Sequence, residues 1–229
     1  MSVARNIAQI LQEIEEAARQ ANREGSEISL LTVSKGRPLE EIGEAYKAGC
    51  RDFGENRVLE AIEKMEKAPS GIRWHYIGKL QKNKVQKVLG RFVLIHSVDT
   101  PELAEKIAKA SFERGLETAL LLETNASGEE SKSGMSPFAW EKIFPHLLSL
   151  RGIRIEGVMT MAPLTEDEGE IRACFSSARH LFEALQERGG EQITTLSMGM
   201  SHDFPLAIAE GSTIIRIGTS LFVTTQVAT

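Results

Sequence analysis

The sequence predicts an α/β fold, a single (β/α)₈ TIM-type barrel of parallel strands with an extra N-terminal helix. Three observations predict it. Strand-like apolar runs alternate with helical patterns from residue 28 almost to the C-terminus, the runs number eight, and no Pro/Gly/Ser-rich linker divides the chain. Strict alternation is typical of parallel strands, and eight strands close a barrel. An open, doubly wound sheet of eight strands is the alternative.

A helix precedes the first strand. Val3, Ile7, Ile10 and Ile14 recur at spacings of three and four residues, which places them on one apolar stripe. Gly25 is expected to end this helix. We therefore expect residues 1–24 to pack on the barrel, and residues 1–229 to form one domain.

The remaining elements follow from apolar runs and from helical periodicity. The eight predicted strands are Ile28–Ser34, Arg51–Phe53, Ile72–Ile77, Phe92–Ser97, Thr118–Glu123, Ile153–Met159, Ile193–Ser197 and Thr213–Ile217. The seven predicted helices between them are Leu39–Ala48, Arg57–Lys67, Lys82–Leu89, Pro101–Arg114, Pro137–Leu150, Asp167–Glu187 and Phe204–Ala209.

Composition favours a globular protein that binds a small molecule. The 229 residues are 41% apolar and 26% charged, which suffices for a core and argues against disorder. No run approaches the ~18 apolar residues of a membrane span, and no signal peptide is evident. The 27 basic and 32 acidic residues give a net charge of −5, which disfavours nucleic acid and membrane partners.

Cysteine and histidine usage indicates the compartment and excludes a metal site. Cys50 and Cys174 are the only cysteines and lie far apart, so neither a disulfide framework nor a zinc set is expected. The five histidines show no metal-binding spacing. We therefore predict no metal and a cytoplasmic location.

Polar, glycine-containing segments follow the last two strands, at the barrel edge that carries function. Gly199 and Gly218 would let backbone N–H groups approach an anion, and Ser201 and Thr219 would add hydroxyls. These segments predict a phosphate cradle. Simple turn chemistry before a helix is the alternative.

A lysine and an arginine are expected beside that cradle. Strand parity places Lys35 on the face of Leu31 and Val33, and Arg216 on the face of Ile214. Because the first and eighth strands are neighbours in a closed barrel, an amine and a guanidinium would meet at its mouth. Lys35 would then be an amine nucleophile. A lysine that extends into solvent is the alternative.

These groups together indicate one cofactor. A phosphate, an aldehyde that condenses with a lysine and a ring nitrogen near an arginine describe pyridoxal 5′-phosphate (PLP). Arg216 can only donate, so it would hold the ring nitrogen as a neutral acceptor. A neutral ring is a weak electron sink, which would limit carbanion chemistry.

Several motifs spread in order over nearly the whole chain carry a family resemblance. They are Thr32–Lys35, Phe53–Arg57, His75–Lys84, Met159–Ala162, Ser197–Asp203 and Arg216–Thr219. With them the chain resembles the YggS/PROSC family of PLP homeostasis proteins. The resemblance implies a fold-type III PLP-binding barrel similar to the N-terminal domain of alanine racemase.

The resemblance also implies a role for each site residue. Lys35 would carry the cofactor as an internal aldimine, and Arg216 would face the pyridine nitrogen. Asn56 would lie beside the ring. The residues expected to hold the phosphate are Ser201, Gly218 and Thr219.

The function implied is intracellular PLP homeostasis by a monomer without strong catalytic activity, with apo-PLP enzymes as recipients. Only seven residues follow Phe222, so we expect no C-terminal β-domain of the kind that completes the site of fold-type III racemases. The alternative is a weak PLP-dependent, racemase-like enzyme acting on amino acids. Its second base would come from Tyr46, Tyr76, His75, His96 or His202.

A third hypothesis concerns a run of basic residues without an acid. Lys79, Lys82, Lys84, Lys87 and Arg91 would bind nucleic acid or protein. A solvated helix face explains the run better, given the overall negative charge.

Overall fold

Eight parallel strands close into a barrel in chain order. The computed structural model describes residues 2–222. The strands are β1 Ser29–Val33, β2 Asp52–Glu55, β3 Arg73–Tyr76, β4 Leu94–Val98, β5 Thr118–Glu123, β6 Ile153–Met159, β7 Thr195–Ser197 and β8 Ile214–Ile217. The predicted fold class is confirmed, and the open sheet is excluded because β1 pairs with β8.

Helices surround the barrel. They are α1 Val3–Gln20, α2 Leu39–Lys47, α3 Val58–Met65, α4 Val85–Val88, α5 Pro101–Glu113, α6 Pro137–Leu148, α7 Glu168–Gly189, α8 Phe204–Ala209 and α9 Thr219–Phe222. Within residues 2–222, no helix has both the length and the apolar character needed to cross a membrane. The prediction of one domain extends to Met1 and residues 223–229, which lie outside the described residues, and it stays a prediction.

The N-terminal helix covers the place where the barrel closes. Its apolar stripe is buried, and α1 packs against α2, α8 and α9. The Nδ2 of Asn6 also donates to the carbonyl oxygen of Leu221, at 3.0 Å. The helix ends at Gln20, earlier than predicted, because Asn22 takes a left-handed conformation with φ of 55°. Gly25 instead begins a short 3₁₀ turn.

Most element boundaries differ from the prediction by one or two residues, and two differences are informative. Strand β2 runs on to Glu55, which is fully buried in spite of its charge because Ser34 and Lys64 bond to its carboxylate. The predicted helix Lys82–Leu89 is a 3₁₀ turn followed by the single turn of α4. It is short because its polar first residues provide no apolar face to pack on the barrel.

The barrel interior is filled in two ways. One part is apolar and consists of Leu94, Ala119, Leu121 and Met159, with Ile214 packed against them. The other part is polar and contains buried His75, His96, Ser197 and Arg216. The larger apolar core lies outside the strands, between the strands and the helices.

Candidate functional site

A cavity of about 340 Å³ lies at the carboxyl ends of the strands, a size common for small-molecule sites. It brings together all six residues expected from the sequence, namely Lys35, Asn56, Ser201, Arg216, Gly218 and Thr219. Apolar side chains such as Val33, Ile77 and Met159 complete its walls. Their placement at one cavity is an observation, whereas their roles remain predictions.

Lys35 reaches the cavity from a turn. Strand β1 ends at Val33, so Lys35 lies two residues beyond it, and it lines the cavity on the same side as Val33, as strand parity predicts. Gly36 allows the turn because its φ is 68°. Among residues 2–222 the Nζ of Lys35 has no hydrogen-bond or ion-pair partner. The residue is exposed, so its amine is accessible from solvent.

The main chain on both sides of Lys35 is held by two charged side chains, buried Lys64 and half-buried Glu60. The Nζ of Lys64 donates to the carbonyl oxygen of Ser34 at 2.8 Å, and the N–H of Gly36 donates to Glu60 Oε1 at 2.9 Å. The same Nζ donates to Glu60 Oε1 at 2.8 Å, which joins the two contacts. The turn is therefore fixed while the Lys35 side chain stays free.

Glu55 completes this cluster from below. Its Oε1 accepts from the Nζ of Lys64 at 2.8 Å and from the Oγ of Ser34 at 2.7 Å. Burial raises the pKa of Glu55, and the hydrogen bonds from Lys64 and Ser34 act in the opposite direction. Sequence reasoning missed Lys64. Its signal was a lysine in register with Val58 and Ala61 on the buried face of α3.

Arg216 lies inside β8, opposite Leu31 of β1, and is buried. Its Nη1 donates to the carbonyl oxygen of Ser197 at 2.9 Å and to its Oγ at 2.8 Å. Its Nη2 donates to the carbonyl oxygen of Thr160 at 2.9 Å. These bonds use three of the five N–H groups. The other two have no hydrogen-bond partner among residues 2–222, so they are available to a ligand.

The Arg216 guanidinium keeps its charge at neutral pH. Burial lowers its pKa to about 10, and the charges of Asp203 and Glu123 act in the opposite direction. A group with this pKa stays protonated near pH 7. Arg216 therefore presents a cation and hydrogen-bond donors to the cavity.

The turns after β7 and β8 need their glycines. Gly199 has a φ of 96°, and a Cβ there would lie 2.7 Å from the Cβ of Ala207. A Cβ on Gly218 would lie 3.2 Å from the Cβ of Val33, so a side chain would push β8 away from β1. These close approaches leave the hydroxyl residues Ser201 and Thr219 at the cavity wall.

Of the five predicted alternative bases, only His202 lines the cavity. Tyr76 packs edge-on against Phe92 outside the barrel, and burial raises its pKa. Tyr46 lies 4.1 Å below the guanidinium of Arg51. His75 and His96 lie in the barrel interior and bond to each other at 3.0 Å. Across the described residues, no group of three or more His, Cys, Asp or Glu side chains could hold a metal ion.

The fold and this cavity define a class. It comprises (β/α)₈ barrels with a lysine after the first strand, a buried arginine on the last strand and glycine- and hydroxyl-containing turns beside them. The family model "Alanine racemase, N-terminal domain" matches residues 6–226. The alanine racemase of Clostridium difficile 630 has a TM-score of 0.73 at 17% identity, over 94% of this chain and 57% of that one, which shows a shared fold.

Nearer relatives narrow the class. The pyridoxal phosphate homeostasis protein of Aquifex aeolicus is 40% identical over 97% of this chain and 98% of its own length. That of Escherichia coli K12 is 37% identical over 96% and 95%. The structure of PipY from Synechococcus elongatus with PLP bound has a TM-score of 0.83 and 38% identity, over 97% of this chain and all of that one. The chain belongs to the alanine racemase N-terminal-domain family and, within it, to the pyridoxal phosphate homeostasis proteins, so the resemblance found from the motifs is confirmed.

Proposed function

We propose that this chain binds PLP on Lys35 and serves intracellular PLP homeostasis. One observation carries the proposal. Four groups line the same cavity: a lysine amine and a buried arginine with two N–H groups, all without a partner among residues 2–222, and two hydroxyl residues. The relatives named PLP homeostasis proteins and the PLP-bound PipY structure support it.

The residues present fit the cofactor. Bound PLP supplies an aldehyde that condenses with a primary amine and releases water. Lys35 presents that amine, and the cluster around Lys64 fixes its turn. Arg216 would donate to the ring nitrogen and, as a permanent donor, would leave that nitrogen unprotonated. Asn56 would lie beside the ring.

The phosphate would lie against the turns after β7 and β8. Ser201 and Thr219 would donate hydroxyl hydrogen bonds to it. Gly218 has no side chain, so backbone N–H groups could approach the phosphate closely. The nearby cation of Arg216 would favour an anion. The apolar residues Ile77 and Met159 would contact the flat faces of the ring.

The geometry favours a carrier over an enzyme. A racemase needs acid–base groups on both faces of its substrate. Only His202 among the alternative bases lines this cavity, and it is exposed to solvent. An open mouth admits water, which opposes carbanion chemistry and lets the cofactor leave. The names of the curated relatives describe homeostasis rather than catalysis.

We propose a cytoplasmic monomer that passes PLP to apo-PLP enzymes and binds neither nucleic acid nor a metal. The basic run would then be a solvated surface. There, Lys79 lies 3.9 Å from Asp99.

Borohydride labelling tests the proposal. Purified protein loaded with PLP and reduced with borohydride should gain the mass of the reduced cofactor on the peptide that contains Lys35. Lys35→Ala should lose the label, and Lys87→Ala, which removes an exposed lysine far from the cavity, should keep it. Protein without label, or labelled on another lysine, would contradict the proposal.

A second measurement addresses catalysis. PLP-loaded protein incubated with L-alanine should produce no D-alanine above the level of free PLP. D-alanine production that Lys35→Ala abolishes would replace the carrier function with a racemase-like activity.

A further inference from the structure

A continuous chain of hydrogen bonds crosses the barrel interior beneath the cavity. It starts at Arg216, whose Nη1 lies 2.8 Å from the Oγ of Ser197. The Oγ of Ser197 lies 3.0 Å from His96 Nδ1, and His96 Nε2 lies 3.0 Å from His75 Nδ1. His75 Nε2 lies 3.0 Å from Asp52 Oδ1. The chain therefore connects the cavity to the amino-terminal end of the barrel.

The chemistry of its two ends fixes the direction of the outer bonds. Arg216 only donates, so the Oγ of Ser197 accepts from it. A carboxylate only accepts, so His75 donates to Asp52 through Nε2–H. The direction of the two inner bonds, between Ser197 and His96 and between His96 and His75, depends on the tautomers of the rings.

Burial is the largest cause that lowers the pKa of His96 well below its ordinary value of 6.5, so this ring is neutral near pH 7. Burial acts to raise the pKa of Asp52, but hydrogen bonds from Arg73 and His75 outweigh it and hold that pKa below the usual range. A neutral His96 and an ionised Asp52 therefore lie along the chain of bonds that begins at the Arg216 cation.

The chain of hydrogen bonds has one end at Arg216, which PLP would contact at the floor of the cavity. Nη1 of Arg216 donates to the carbonyl oxygen and to the Oγ of Ser197, and Nη2 donates to the carbonyl oxygen of Thr160. These contacts set the plane of the guanidinium and leave its unpartnered N–H groups for the cavity. Removal of the Ser197 hydroxyl would take away one of the two acceptors of Nη1, and removal of His96 would take away the partner that orients this hydroxyl.

We propose that Ser197 and His96, supported by His75 and Asp52, are positioning residues for PLP that hold Arg216 in register with the ring. The inference rests on the proposed function, because it needs PLP beside Arg216. The other possibility is that the chain only fills the barrel interior. Filling would affect stability without affecting the cofactor.

The test compares three variants with the wild-type protein. Ser197→Ala removes the hydroxyl, His96→Leu breaks the chain and Ser197→Thr keeps a hydroxyl. The readouts are the Kd for PLP, the visible absorption band of the bound cofactor and thermal unfolding. Leu103→Ala is the control, since Leu103 is buried in the outer core and does not touch the chain.

We expect Ser197→Ala and His96→Leu to weaken PLP binding about 10-fold, as outer-shell partners commonly do, and to shift the absorption band. Ser197→Thr should restore both. Leu103→Ala should lower the unfolding temperature and leave Kd and absorption unchanged. The inference is overturned if Ser197→Ala and His96→Leu, like Leu103→Ala, lower the unfolding temperature without changing Kd or absorption.

Two measurements cover variants that fail to fold. Asp52→Asn changes the far end of the chain at a partly exposed position, and it should shift the absorption band in the same direction by a smaller amount. ¹⁵N NMR of the wild-type protein should show a neutral His96 ring at pH 7, and a cationic His96 ring would overturn the inference. Absence of borohydride label on wild-type Lys35 would instead refute the proposed function, and the inference with it.

Discussion

Lys35 and Arg216 line the same cavity, but the protein holds them in opposite ways. Lys35 lies on an exposed turn, and buried Lys64 with half-buried Glu60 fixes the backbone around it, while its amine has no partner among the described residues. Arg216 lies within a buried strand, and its own guanidinium is bonded on two edges. A group that must form and release a bond needs a free side chain on a fixed backbone, whereas an electrostatic partner needs a fixed side chain.

The largest expected effect is a loss of stability when the side chain that supports the Lys35 turn is replaced. Lys64→Met leaves Glu55 and Glu60 without their buried cation, and loss of one partner of such a cluster costs about 3–5 kcal/mol. Urea unfolding of the apoprotein measures this loss, and PLP titration should show weaker binding because the turn loosens. Lys67→Met, at an exposed position on the same segment, is the control. Unchanged unfolding in Lys64→Met would show that the cluster does not stabilise the turn.

A smaller effect concerns the charge that faces the arginine. Burial, followed by the charge of Asp99, raises the pKa of Glu123 from its ordinary 4.5 to about 7. The folded protein therefore keeps up to about pH 7 a proton that the unfolded chain loses near pH 4.5, and the free energy of unfolding falls as pH rises between these two values. Glu123→Gln should remove this fall.

The expected gain in Glu123→Gln at pH 8 is up to about 3 kcal/mol, with little gain at pH 5. Urea unfolding at both pH values measures it. Glu130→Gln, at an exposed position, should change neither value. An equal gain at both pH values would mean that the ionisation of Glu123 is not responsible.

The smallest expected effect is weaker PLP binding when Arg216 is replaced by lysine. Arg216→Lys keeps a cation but cannot bond Ser197 and Thr160 while it also presents N–H groups to the cavity. We expect Lys35 to be labelled as before, with PLP binding about 10-fold weaker, or about 1.4 kcal/mol. Arg91→Lys on the surface is the matched control. Loss of the label on Lys35 would show that the two groups are not separate in function.

Sequence reasoning succeeded where local pattern decides structure. The alternation of elements predicts the barrel, and because strand ends share one edge, residues as distant as Lys35 and Thr219 could be assigned to one cavity. It failed where tertiary contacts decide. The first strand ends at Val33 rather than at Ser34, since the bond from Lys64 holds the carbonyl group of Ser34 away from the sheet ladder.

The buried charges show the same limit. Nothing in the local sequence distinguishes Lys64 from a surface lysine except its helical spacing from Val58, which indicates burial. His75 and His96 appear in the sequence as candidate bases, because nothing local says that their partners lie on β2 and β7. The roles of the six cavity residues are still predictions from the motifs.

Closure of the barrel has a consequence for synthesis. Arg216 belongs to the last strand and pairs with the first, and Asn6 of the opening helix bonds to Leu221 after that last strand. A chain still emerging from the ribosome has the lysine but not its guanidinium neighbour. The lysine and the guanidinium therefore come together only after translation has passed the final strand, and a product truncated before it would lack the complete cavity.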